Sequence, residues 1–211
     1  DARSNLLNAI VFACDEHAHG VHILFDNKVI LGTRARKTHT KSFNAFKSID
    51  FPEIAIVRDR RVRYYIEEKV SEDGPDFYTS LDPKVFVLRL VPGMNPDIFS
   101  FLKEHYDGLV IESFGVGGIP CYDNESFVDA VADWIACGKA LVMTTQVPHE
   151  GSDMSVYMVG QVIKKKYRLI EAYDMTTEAI VAKLMWILAQ TKKPAEVREM
   201  FYRPVQNDLN I

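Results

Sequence analysis

The sequence has little of what announces the simplest function classes. Its three cysteines, Cys14, Cys121 and Cys137, are too few and too far apart for a disulfide scaffold or a cysteine zinc site. It has no excess of positive charge: 25 Lys and Arg against 29 Asp and Glu leave a net charge of -4, so neither nucleic acid nor an anionic membrane is expected as partner. No apolar run has membrane-spanning length, and the opening DARSNLLNAI lacks the basic-then-apolar order of a signal peptide. A reducing, soluble compartment, the cytoplasm, is the expectation. G-x-x-x-x-G-K-[ST], G-x-S-x-G and H-E-x-x-H are absent, which excludes a P-loop, a serine nucleophile elbow and a zincin helix. Among six histidines only His17 and His19 lie close together, and side chains two apart at a helix end do not face each other. No metal and no cofactor are expected. The first residue is not Met and falls within a helix-like pattern, which reads as though something upstream were missing.

What is present is ample apolar content, 47%, for a buried core. Leu6, Leu7, Ile10, Val11 and Cys14 follow one helix face. VHILF and KVIL, joined by Asp26-Asn27, read as a hairpin, and EIAIV with VRYYI as a second strand pair across RDRR. Between them GTRARKTHTKS is polar and irregular, and is expected to be a loop. Cys14 and Cys137 lie in apolar helical patterns and are expected to be buried thiols. The clusters Arg58, Arg60, Arg61, Arg63 and Lys164, Lys165, Lys166, Arg168 read as solvated edges. Residues 71–83, rich in Gly, Pro, Ser and Asp, form the linker candidate, with the boundary near residue 80.

Beyond it the pattern changes to strand KVFVLRL, helix NPDIFSFLKEHY, strand GLVIES, helix NESFVDAVADWIACG, strand ALVMTT and helix TTEAIVAKLMWILAQT. The alternation predicts an α/β fold with a parallel sheet, and the nearly continuous apolar strands predict cover on both faces. Ligands of such sheets bind beyond the carboxyl ends of the strands, where VPGMNP, SFGVGGIP and TTQVPHEGSD would lie together.

In SFGVGGIP, Gly115 and Gly117 fit the start of a dinucleotide fingerprint, but Pro120 stands where its third glycine belongs. The alternatives are a tight turn that needs positive φ, or a loop whose bare backbone lets a ligand or surface approach. Thr144, Thr145 and Gln146 end a buried strand on the same edge; they could bind a small polar ligand or satisfy their own loop. Lys37 stands among Thr33, Thr38, Thr40, Arg34 and Arg36. Neighbouring cations and any burial would lower its pKa and suit it to take a proton from a hydroxyl. On spacing alone a solvent-exposed basic loop is the better reading.

Taken in order, DARSNLLNAI, NKVILGTRARKTHTKSFNAFKSIDFP, YDGLVIESFGVGGIP, TTQVPHEGSDMSVYMVGQ and DMTTEAIVAKLMWIL resemble the bacterial L-asparaginases, particularly the cytoplasmic type I branch. The resemblance spans the whole chain but only about the last two thirds of the family's length, the N-terminal third being absent. It implies residues 1–70 as the C-terminal part of an N-terminal α/β domain, 71–83 as linker, and 84–211 as a smaller, Rossmann-like C-terminal domain. It implies hydrolysis of L-asparagine to L-aspartate and ammonia through a threonine nucleophile and an oxyanion hole. It also implies a homo-oligomer, dimer or tetramer. The family's activating lysine carries over onto Lys37, reversing the bland reading of that loop. The nucleophile motif T-G-G-T and the second Thr-Asp pair do not carry over, so the 211 residues alone are expected to be inactive.

Ser113, Gly115, Gly117, Thr145 and Gln146 match the family's substrate-binding or regulatory loops. Some members bind a second asparagine there. In those relatives an arginine, an asparagine and a cysteine occupy the places held by Glu112, Gly118 and Val147, so such regulation is expected to be absent or altered. Two other readings stay open: an ammonia-supplying, asparaginase-like subunit of a Glu-tRNA amidotransferase, and a non-catalytic small-molecule-binding module.

Overall fold

Asp26 and Asn27, with φ of 49° and 65°, are both in the left-handed region, which closes a two-residue turn between antiparallel strands. In the computed structural model, which describes residues 2–67, 74–120, 126–156, 161, 164, 167 and 169–210, that turn joins β1 (His22–Phe25) to β2 (Lys28–Leu31). Asp59 and Arg60 make a second such turn between β5 (Ala55–Arg58) and β6 (Arg61–Tyr64). The four strands form one antiparallel sheet in the order β1-β2-β5-β6. Helix α1 (Ala2–Ala13) packs on it through Phe12, against a core of Val29, Leu31, Ile54, Ala55 and Val57. Arg58, Arg60, Arg61 and Arg63 are all exposed, a solvated strand edge.

Two expectations are corrected. The segment read as a loop contains β3 (Ala35–Lys37), paired antiparallel with β4 (Phe46–Ser48). A three-residue strand carries no apolar alternation to betray it, and the polar stretch before β4 hides the pairing. Leu6, Leu7 and Ile10, read as part of one helix face, are exposed at 65%, 47% and 53%. Cys14 and Cys137 are exposed because each lies just past its helix end, not on the packed turns. Cys121, residues 71–73 of the linker and Lys165, Lys166 and Arg168 lie outside the described residues.

The second half is built on β7 (Val85–Arg89), β8 (Gly108–Ser113), β9 (Ala140–Thr145) and the two-residue β10 (Ile170–Glu171), all parallel and ordered β10-β9-β8-β7. Successive residues of β8 and β9 point to opposite faces. Leu109, Ile111, Leu141 and Met143 meet α2 (Ile98–His105) and α3 (Ser126–Ala136) through Phe99, Leu102, Val131 and Trp134. Val110, Ala140 and Val142 meet α4 (Thr177–Gln190) and α5 (Pro194–Tyr202) through Ile180, Leu184, Ile187 and Phe201. Both faces are covered, as continuous apolar strands require. The chain is thus α/β with a parallel sheet, as its alternating pattern implied.

By contacts the chain divides into two compact units. One runs to Tyr78 and includes Val205–Asp208; the other is Thr79–Pro204 with the residues from Leu209 on. No described helix is long and apolar enough to cross a membrane.

Candidate functional site

In the parallel-sheet unit, register puts Arg89, Glu112 and Thr144 side by side at the carboxyl ends of β7, β8 and β9. The loops leaving these ends are tied together by the polar residues singled out in the sequence. The Ser113 hydroxyl donates to the Thr144 carbonyl at 2.6 Å. The Thr145 hydroxyl donates to the Gly115 carbonyl and accepts from the Val147 amide at 3.0 Å. The Gln146 amide donates to the Leu90 carbonyl at 2.6 Å and the Glu112 carbonyl at 3.1 Å, bridging two strand ends.

The glycine loop is a closed turn. Phe114 and Gly118 exchange backbone hydrogen bonds, the Phe114 amide at 2.9 Å and the Gly118 amide at 2.7 Å. Gly115, with φ of 50°, lies between them, and Gly117 is pressed against Met154, which a Cβ would approach to 3.2 Å. The tight-turn reading of this loop therefore accounts for its glycines, and the Asp153 amide, donating to the Val116 carbonyl at 2.6 Å, pins the next loop to it. The structure brings Ser113, Gly115, Gly117, Thr145 and Gln146 together, and the hydroxyl and amide groups among them are engaged in holding the edge.

Sequence reasoning singled out Glu112 without its partners. Its side chain is buried; Oε1 accepts from the Thr177 hydroxyl at 2.7 Å, and Oε2 lies 3.7 Å from Arg89 Nη1. Thr177 is the first residue of α4, whose N-cap Thr176 accepts the Ala179 amide, so the carboxylate also faces the positive end of that helix. The Glu112 charge is thereby balanced within the fold.

Two buried groups near this edge were missed. Glu171, fully buried, accepts the Met154 amide at 2.6 Å and pairs with Lys164. Burial opposes the charge on Lys164, but its bonds to Glu171 and Tyr173 outweigh that and raise its pKa. Ser152 Oγ is buried without a hydrogen-bond partner. No local pattern marks either residue, because their neighbours come from other elements.

Lys37 belongs to the other unit, at the end of β3 opposite Phe46. It is exposed, with Nζ 6.0 Å from the centre of the Phe46 ring. The next residue, Thr38, donates its amide to the Ala45 carbonyl at 2.8 Å, and its hydroxyl contacts His39 Nδ1 at 2.9 Å. The lysine thus stands on a paired strand end, its ammonium open to solvent or to a bound group.

A cleft of about 670 Å³ lined by Ile135, Lys139, Leu141, Leu169, Val197 and Arg198 lies beside Ala140, the first residue of β9. That is the amino edge of the sheet, opposite the edge where parallel sheets bind ligands. Among the described residues no group of three or more His, Cys, Asp and Glu could hold a metal ion.

Comparison with known proteins gives this geometry a family. Residues 84–201 match the glutaminase/asparaginase C-terminal domain and residues 1–70 the asparaginase N-terminal domain. An L-asparaginase of Thermococcus kodakarensis is 36% identical over 209 residues, covering 99% of this chain and 62% of the relative. A glutamyl-tRNA(Gln) amidotransferase component of Thermofilum pendens is 32% identical over 212 residues, covering 95% of this chain and 46% of the relative. The chain thus spans about three fifths or less of these relatives. The solved thermostable L-asparaginase from Thermococcus kodakarensis shares the fold with a TM-score of 0.93, covering 100% of this chain and 63% of that one. L-asparaginase I from Vibrio cholerae, at 24% identity, has the same fold with a TM-score of 0.84. With the first relative archaeal, the resemblance read from the motifs stands at the level of the family and not of a bacterial branch. The chain belongs to the asparaginase/glutaminase family.

Proposed function

We propose that the chain is part of an L-asparagine amidohydrolase, converting L-asparagine and water to L-aspartate and ammonia. The observation that carries this reading is the 36% identity over 209 residues with an L-asparaginase. In the proposed reaction a threonine hydroxyl attacks the side-chain amide carbon, ammonia leaves with the transferred proton, and water cleaves the acyl ester to free L-aspartate. No T-G-G-T occurs in residues 1–211, so the nucleophile is proposed to lie outside them. Lys37 is proposed as the lysine that helps a threonine lose its proton. The same reading takes residues 1–70 and 84–211 as the two asparaginase domains around the linker 71–83. It makes the protein a homo-oligomer of the cytoplasm, in the type I branch.

Ammonia release tests this directly. The purified 211-residue chain should release none from L-asparagine. A longer form that supplies the nucleophile should be active, and Lys37→Met should lower its kcat about a hundredfold, the scale of a lost proton-transfer group. Activity in the 211-residue chain, or full activity in the Lys37 variant, would refute the assignment.

The 32% identity with an amidotransferase component favours one second reading, an ammonia-supplying subunit of a Glu-tRNA amidotransferase. Amidation of glutamyl-tRNA at the expense of asparagine, seen only with a co-purifying partner protein, would select it over the stand-alone enzyme.

A further inference from the structure

β3 is three residues long, and cross-strand pairs with β4 hold its register: Ala35 with Ser48, Arg36 with Lys47, Lys37 with Phe46. A slip of one residue in such a ribbon would turn Lys37 to the opposite face. Three pairs, the outer one exposed, are a weak guard against that. The strand must be fixed from its start, and the residue there is Arg34.

Arg34 is completely buried, an unusual place for a guanidinium. Its backbone leads from a turn into the ribbon: the amide donates to the Leu31 carbonyl at 3.0 Å, closing the turn, and the carbonyl accepts from the Ile49 amide at 2.9 Å, extending the β3–β4 pairing. Its side chain lies over the Phe51 ring, 5.5 Å from the centroid, and Nε donates to the Asn207 carbonyl at 2.5 Å. One residue earlier, the Thr33 hydroxyl donates to the Gln206 carbonyl at 2.8 Å.

Both acceptors belong to Val205–Asp208, the stretch of the C-terminal segment that packs with the first unit. That stretch is itself set in shape. Gln206 and Asn207 both have positive φ, 46° and 53°, which costs non-glycine residues energy and persists only where surroundings hold it. The Asp208 carboxylate accepts the Val205 amide at 2.8 Å, and Gln206 Oε1 accepts the Val21 amide at 3.2 Å. Gly20 leaves room for the Gln206 side chain, where a Cβ would come within 2.4 Å of Nε2. A turn shaped at this cost presents two consecutive carbonyls to Thr33 and Arg34.

We propose that the turn Val205–Asp208 is a clamp that positions Lys37, acting through Thr33 and Arg34 to fix the start and register of β3. The inference rests on Lys37 being the activating lysine. Thr33 and Arg34 are positioning residues; neither is placed against substrate.

Two measurements test it. Amide hydrogen exchange on the 211-residue chain reads the clamp without any activity. Thr33→Val, which removes one clamp bond while burying no charge, should speed exchange about tenfold at Thr38 and Ile49, whose amides bond across the β3–β4 ribbon, as local opening predicts. The amides of β8 and β9 should not change, and Thr33→Ser should restore the slow rate. Arg34→Lys, which keeps the charge but loses the planar donor, should act more strongly at the same amides. In the asparagine-hydrolysing form of the protein, the same variants should lower kcat between about tenfold and a hundredfold with KM within about twofold, the mark of a misplaced group. Unchanged exchange at β3, or a uniform rise across both units, overturns the clamp and leaves the role of Lys37 untouched. If Lys37→Met itself retains full kcat, the reading beneath the inference fails, even where exchange at β3 has risen.

Discussion

All six residues of β8 and all six of β9 are buried, whereas no residue of β1 and none of β6 is. The parallel unit wraps its sheet with helices on both sides and uses its polar side chains on its own loops. The antiparallel unit carries one described helix, and that helix turns Leu6, Leu7 and Ile10 outward. Within these 211 residues the contrast locates the source of each unit's stability. In the parallel unit it is packed volume and satisfied strand ends; in the other it is a small core and a few long-range polar anchors.

Emptying the parallel unit's core should blur this contrast most severely. Trp134 is fully buried, and its Nε1 donates to the Ala140 carbonyl at 3.0 Å. Trp134→Ala should cost about 4 kcal/mol, read as a shifted urea midpoint at constant slope. A cost below about 1 kcal/mol would mean that this core does not dominate its unit.

Gln146→Leu comes next. It would leave the Leu90 and Glu112 carbonyls without their bridging amide, at a cost of about 2 kcal/mol without any ligand present. Unchanged stability would return Gln146 to the role of a ligand-binding residue.

A smaller effect is expected in acid. Asp107 accepts a hydrogen bond from Lys192 at 2.9 Å, and that bond, with the nearby Lys139, holds its carboxyl below the usual range against the opposing effect of burial. A carboxyl lowered on folding adds stability above its unfolded value, about 4, and that stability is lost as the pH falls through the lower folded value. Asp107→Asn should therefore flatten the fall in stability below about pH 4 and be less stable than the parent at neutral pH. Urea midpoints across that window check it, and an unaltered slope would remove the pair from the account.

Smallest is the outward stripe of α1. Leu6→Gln with Ile10→Gln should change stability by less than about 0.5 kcal/mol, because side chains exposed this far lose little. Sedimentation should show less self-association, as expected when an apolar patch is removed. A large loss of stability instead would show that the stripe is packed in solution.

The sequence pattern was a good guide wherever one residue's neighbours sit on its own element. Val110 and Ile111 read as buried because GLVIES opens as an apolar run, and α4 shows in the repeat of Ile180, Leu184 and Ile187. It was a poor guide where structure depends on distant pairing. β10 is two residues long, and α5 is too polar to stand out. β3 has no apolar alternation at all. The site follows the same rule. Topology predicted that Ser113, Thr145 and Gln146 would share an edge; what each one bonds to could not be read. Gln146 reaches back 56 residues to Leu90, and Glu112 forward 65 to Thr177. Such partners exist only once the register of every intervening strand is set.

The bond between Arg34 and Asn207 joins positions 173 residues apart. During synthesis at about 5–20 residues per second, roughly 10–35 s pass between the making of its two ends. Through that interval the early unit waits without this anchor at the start of β3, while most of the parallel unit, whose main contacts lie within its own stretch of chain, is made. The earlier of the two units thus waits for one of the last stretches of the chain. A stalled or shortened chain that never reaches Asn207 would leave the Lys37 strand unfinished however well the rest had folded.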